Sequence, residues 1–138
     1  MNKQKIVINN SSAECKSLHE ALNSFINKQN IPDDILHDLR LVTEEAFINI
    51  VTYAYPPDET HEITIVLSHS YNRLDITFID AGKAFNPLSD CVASIDTDDH
   101  CDGGMGIHLI KSLTDKQEYN RIEERNVFTV TKHYTNQN

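Results

Sequence analysis

No stretch of this sequence approaches the ~20 consecutive apolar residues needed to cross a bilayer. The best candidate, residues 46–51, is interrupted by Asn49. Cysteine is scarce: Cys15, Cys91 and Cys101 form an odd set with no CxxC spacing. That excludes a disulfide scaffold and points to free thiols in a reducing compartment. Glycine and proline are few, at four each, and no low-complexity tract or internal repeat occurs. Positive charge is short, with 12 Lys and Arg against 21 Asp and Glu and a net charge of −9. Such a surface repels phosphate backbones and anionic lipid, which argues against nucleic acid or membrane as a direct partner and favours another protein. Residues 1–5 lead into a β-like run without an apolar signal-peptide segment, so a cytoplasmic location is expected.

Several motifs are missing too. Neither GxxxxGK[ST] nor GxGxxG occurs, so the commonest phosphate cradles are absent. The seven histidines make no HExxH, and Ser11, Ser12 and Ser68 lie in no nucleophile motif. The acidic run Asp96-Thr97-Asp98-Asp99-His100-Cys101-Asp102 lacks an EF-hand glycine and paired zinc spacing, so it reads as a solvated segment.

What is present is enough for one ordinary domain over residues 1–138, 39% hydrophobic and 24% charged. Residues 5–9 alternate as an opening strand. Ser11 followed by Glu14 forms a capping box, and Ala13, Leu18, Ala21, Leu22, Phe25 and Ile26 then recur at helical spacing over about 12–29. Asn30-Ile31-Pro32 breaks that helix, and Pro32-Asp33-Asp34 starts the next. The second helix carries the stripe Ile35, Leu39, Val42, Ala46, Ile50 and Ala54, and runs to about Tyr55 before Pro56-Pro57. Strands over 62–69 and 73–80 follow, joined through Ser70-Tyr71-Asn72. Residues 81–102 lack periodicity, and an unstructured loop of that length usually serves function, here as a lid over about 83–102. A helix over 106–114 and strands over 117–122 and 127–134, turning at Arg125-Asn126, complete the chain. This order predicts an α+β two-layer sandwich: a mostly antiparallel, mixed sheet of about five strands with helices on one face.

Three short constellations could carry chemistry. Glu45 and Asn49, four apart, share a helix face beside the apolar stripe, and Thr52 continues it. The amide could bind Mg²⁺ and the carboxylate accept a proton. Glu44 points about 100° away. Asp80-Ala81-Gly82 ends a strand, where it is either a simple turn or a carboxylate acceptor for a purine amine. Gly103-Gly104-Met105-Gly106 precedes a helix, as a hinge or as an anion cradle.

In this order the three elements resemble the boxes of the GHKL (Bergerat-fold) ATPases, and within them the anti-sigma-factor serine kinases of the SpoIIAB and RsbW type. Thr43-Glu44-Glu45-Ala46-Phe47-Ile48-Asn49-Ile50-Val51-Thr52-Tyr53-Ala54-Tyr55 resembles TEAxxNAxxHAY. Asp80-Ala81-Gly82-Lys83-Ala84-Phe85-Asn86-Pro87 resembles DxGxPFxP, and residues 103–110 and 126–132 are similar to the second glycine box and the last strand. The resemblance implies a Bergerat fold that binds ATP with Mg²⁺ and phosphorylates protein serine or threonine. Its implied partners are a sigma factor and a STAS-type anti-anti-sigma protein, with homodimerisation common in the family. By position, Glu45 would be the general base, Asn49 the Mg²⁺ ligand and Asp80 the acceptor for the adenine amine. Gly82 would line the base pocket, Gly104 and Gly106 would hold phosphates, and Thr129 would reach the adenine site, with Phe85 and His108 contributing from the lid. Tyr53 and Ala84 depart from the family's His and Pro, and no Lys or Arg lies between Lys83 and Lys111.

Overall fold

The computed structural model describes residues 2–89 and 102–135. Cys91, Cys101, the acidic run up to Cys101 and most of the expected lid lie outside the described residues.

The chain runs β1 (Asn2–Asn9), α1 (Cys15–Lys28), α2 (Leu36–Tyr53), β2 (Glu62–Ser70), β3 (Arg73–Asp80), α3 (Asp102–Leu113), β4 (Lys116–Ile122) and β5 (Arg125–His133). The five strands form one sheet in the order β1-β2-β3-β5-β4. Every pairing among the described residues is antiparallel, so the expected parallel admixture is absent there. In β2 and β3 buried and half-buried residues alternate strictly, the period-2 signature of a sheet covered on one face. Ile63, Ile65, Leu67, Leu74, Ile76, Phe78, Phe128 and Val130 point inward. They pack in one core with Leu18, Leu22, Phe25 and Ile26 of α1, Leu39, Val42, Phe47 and Ile50 of α2, and Ile107 and Ile110 of α3.

Local chemistry sets the element ends. Ser11 accepts a hydrogen bond from the Ala13 N–H at the start of a 3-10 turn, Ser12–Glu14, that leads into α1. The Glu14 carboxylate reaches back to the Asn9 N–H, past the Ser11 N–H that a standard capping box would use. Asn30 takes φ 56°, letting the Ile31 N–H bond to Ile26 O and close α1 in the left-handed manner common at helix ends. A second 3-10 turn, Asp33–Ile35, precedes α2. The β4–β5 turn falls at Glu123-Glu124, two residues before the expected Arg125-Asn126. Both glutamates have positive φ, 49° and 63°, as a tight two-residue hairpin demands. Asn126 is therefore a strand residue, directly opposite Asp80 in the ladder.

Candidate nucleotide-binding site

The site is built where the C-terminal half of α2 meets the end of β3. The α2 stripe is buried as its spacing predicts, and this leaves Glu45 half-buried at the edge with Glu44 exposed. Asn49 is 4% exposed, and its Nδ2 is buried without a hydrogen-bond partner. A buried amide left unpaired is costly, so it points to an absent ligand. Thr52 is exposed and does not join it.

Asp80 continues the inward face of β3 after Phe78 and is 3% exposed. Its Oδ1 accepts two hydrogen bonds of 2.9 Å, from the Gly82 N–H and from Asn126 Nδ2. Burial pushes its pKa up, opposed by the bonds from Asn126 and Gly82 and by the Arg121 charge. The turn that follows is clamped to the end of α2. The Ala81 N–H donates to Tyr55 Oη at 2.9 Å, the Lys83 N–H donates to Ala54 O at 2.8 Å, and Tyr55 stacks on His61. Gly82 is required here because any Cβ would land on the Ala54 carbonyl oxygen and lie 2.9 Å from Ala54 Cβ. Arg121 Nη1, on the edge strand β4 beyond β5, donates to Gly82 O at 2.9 Å.

Phe85 is tied in by its N–H, which donates to Asn126 Oδ1 at 3.1 Å, and its ring stacks on Tyr53 with centroids 4.8 Å apart. Asn49, Asp80 and Asn126 are the polar lining of a narrow, largely apolar cleft, which Phe85, Pro87, Tyr119 and Phe128 also line. A few polar groups in an apolar wall suit a flat heteroaromatic base.

The third constellation arrives from α3. This helix begins at Asp102, so Gly103, Gly104 and Gly106 lie within it and not in a loop ahead of it. The earliest N–H groups of a helix have no intrahelical acceptor, which leaves those around Gly104 available to an anion. Gly106 is buried against α2, and a Cβ there would fall on Glu45 Oε2, with Glu45 Cδ only 3.2 Å away. Burial raises the Glu45 pKa, and the neighbouring Glu44 charge adds to the effect. His108 is exposed on α3.

The structure thus gathers Asn49, Asp80 and Phe85 around one cleft, sets Gly82 in the turn beside it, and joins Glu45 to Gly106. It does not bring Thr129 there. Sheet alternation turns Thr129 to the outer face, opposite Phe128 and Val130, where its Oγ1 bonds Thr77 Oγ1 at 3.0 Å. Sequence reasoning missed Asn126, Tyr119, Arg121 and the role of Tyr55. The available signal was Asn126 opening the run that resembles the last strand.

A buried amide N–H donor without a partner and a buried carboxylate with one oxygen uncommitted fit a nucleotide, whose phosphate oxygens would accept from Asn49 Nδ2; Mg²⁺ would be held through the amide's oxygen, Oδ1. Among the described residues no cluster of three or more His, Cys, Asp or Glu could hold a metal. No described helix is long and apolar enough to cross a membrane.

Comparison with known proteins gives the same architecture. The histidine kinase-like ATPase domain family matches residues 8–132. The chain is 28% identical over 101 residues to the serine-protein kinase RsbW of Bacillus licheniformis, covering 69% of this chain and 63% of that protein. It is 35% identical over 95 residues to RsbW of Bacillus mycoides, covering 64% and 59%. The matches therefore span about three-fifths of those relatives' length. The RsbU and RsbW domains of a Mycobacterium tuberculosis protein superpose over 96% of this chain and 32% of theirs, with a TM-score of 0.70 at 12% identity. In the SiaB–SiaC complex of Pseudomonas aeruginosa the corresponding figures are 92%, 87%, 0.60 and 13%. These two likenesses are of fold alone. With its family pattern spanning residues 8–132 and its five-stranded antiparallel sheet backed by three helices, the chain belongs to the histidine kinase-like ATPase domain family, as an RsbW-like GHKL protein.

Proposed function

We propose that residues 1–138 form one ATP-binding unit that works as a protein-serine/threonine kinase and anti-sigma factor. It would bind a sigma factor and phosphorylate a STAS-type anti-anti-sigma partner. The observation that carries the reading is the unpaired Asn49 amide in the same cleft as the half-committed Asp80 carboxylate, one helical turn from Glu45. In this reading Asp80 accepts the adenine amine, and the Gly82 turn and Phe85 border the base. The backbone at Gly104 and Gly106 faces the phosphates, Asn49 Oδ1 is the protein's ligand to Mg²⁺, and the unpaired Nδ2 donates to a phosphate oxygen. Bound Mg²⁺ would neutralise phosphate charge during in-line transfer. Glu45 would take the proton of the attacking hydroxyl; burial, and after it the Glu44 charge, raises its pKa and makes it a stronger base than an exposed carboxylate.

A second reading, a nucleotide-dependent binding switch without transfer, draws support from Tyr53. This residue stands in place of the family's His, and its ring is stacked on Phe85. One experiment separates the two. Mg·ADP and Mg·ATP should raise the melting temperature, more than GTP does, by ligand linkage. Labelled phosphate from ATP should reach a co-purified partner, and Glu45→Gln should cut that transfer roughly 10²–10⁴-fold while nucleotide still binds. No thermal shift at millimolar nucleotide refutes the site. A shift without labelling by wild type selects the switch.

A further inference from the structure

Asn126 is 4% exposed and has every hydrogen-bonding position of its amide engaged. Nδ2 donates to Asp80 Oδ1 at 2.9 Å and to Lys83 O at 2.8 Å. Oδ1 accepts from the Phe85 N–H at 3.1 Å and from Tyr119 Oη. One side chain therefore joins the end of β3, the turn after it and β4. Because Lys83 O and the Phe85 N–H are chemically distinct, the amide has only one orientation that satisfies all four contacts.

That fixed orientation constrains Asp80. Asn126 and the Gly82 N–H both donate to Oδ1, so the carboxylate is pinned through one oxygen. Neither bond uses Oδ2, and Asp80 lines the cleft. We propose that Asn126 is the positioning residue that sets base specificity: it holds Asp80 so that a lone acceptor oxygen faces the base, selecting a 6-amino purine over a 6-oxo purine. The inference rests on the nucleotide reading above and adds the residue that decides which nucleotide.

The pinning makes an unusual demand on Asp80→Asn. Two N–H donors still converge on one position, so the new amide must place its oxygen there. Its NH₂ is then turned into the cleft, a donor where an acceptor stood. An adenine amine would meet a donor, whereas the O6 of hypoxanthine would meet a partner. With Asn126→Ala added, the amide at position 80 is free to rotate and the demand disappears.

The test is calorimetric affinity of Mg·ADP and Mg·IDP for the whole chain and three variants. Wild type should prefer ADP by about tenfold or more, the worth of one hydrogen bond to a charged group. Asp80→Asn should reverse the order in favour of IDP. Asp80→Asn with Asn126→Ala should bring the ratio within about threefold of one. Asn126→Ala alone should lower the wild-type ratio at least about threefold, and this arm keeps the test decisive if Asp80→Asn folds poorly. A merely structural Asn126 would weaken both nucleotides together and leave every ratio unchanged, and that result overturns the proposal. Reversal that survives loss of Asn126 overturns it as well. Failure of wild type to bind ADP would remove the nucleotide reading itself, an outcome distinct from either.

Discussion

Gly106→Ala should separate catalysis from stability, because what its methyl would meet is the movable end of a side chain. The new Cβ falls on Glu45 Oε2, with Cδ at 3.2 Å and Cγ at 3.7 Å, and on no backbone outside α3. Alanine in a helix interior gains about 1 kcal/mol over glycine. Turning Glu45 away costs about 0.5–1.5 kcal/mol if it leaves its preferred rotamer. These nearly cancel, so the melting temperature should stay within about 4 °C of wild type. The proposed general base would nonetheless be displaced by the width of a methyl group. Phosphate transfer to the partner should fall roughly 10²–10⁴-fold, as for Glu45→Gln, while Mg·ADP affinity stays within a few fold. Differential scanning fluorimetry, calorimetry and radiolabel incorporation measure the three quantities. Wild-type transfer by Gly106→Ala would refute the argument that the α3 backbone holds Glu45 in its working position. A fall in melting temperature beyond about 8 °C would refute the claim that Glu45 can move aside.

Three further outcomes follow from the same geometry. Gly82→Ala meets the Ala54 carbonyl, which is backbone and cannot swing away, and disrupts the Lys83 N–H···O bond to Ala54. It should cost about 2–4 kcal/mol, or ~6–12 °C of melting temperature, and a loss below 2 °C would contradict the clash. Replacing Glu123-Glu124 by Asn-Gly relieves two non-glycine residues at positive φ and should stabilise by about 1–2 kcal/mol in urea denaturation; no gain would mean the hairpin turn is not of this type. Burial holds the Asp80 pKa above its ordinary 3.8. A carboxyl raised on folding contributes stability that is complete below the ordinary value and lost as pH rises through the raised one. The melting temperature of Asp80→Asn relative to wild type should therefore climb as pH rises from the ordinary carboxylate value through the raised one, and a flat difference would show Asp80 is not so perturbed.

Much of this protein is written locally. The period-two recurrence of Ile63, Ile65 and Leu67, with Thr64, Val66 and Ser68 between and after them on the other face, specifies a half-covered strand wherever the chain lies. The 3.6-residue spacing of Leu39, Val42, Ala46 and Ile50 specifies a helix face and places Glu45 and Asn49 beside it. Ser11 and Pro32 mark helix starts through bonds and angles formed within a few residues. The parity that puts Phe128 and Val130 inside and Thr129 outside is equally local, and reading it would have excluded Thr129 from the cleft. Other features depend on which distant segments meet. Glu-Glu carries no turn signal, and its hairpin exists because β4 and β5 pair across it. The glycines of 103–106 belong to a helix whose packing brings Gly106 onto Glu45, sixty-one positions earlier in the chain. Asn126 acquires its role only from sitting across the ladder from Asp80, because a cross-strand partner is set by sheet register, and register is an agreement between two segments that neither contains alone.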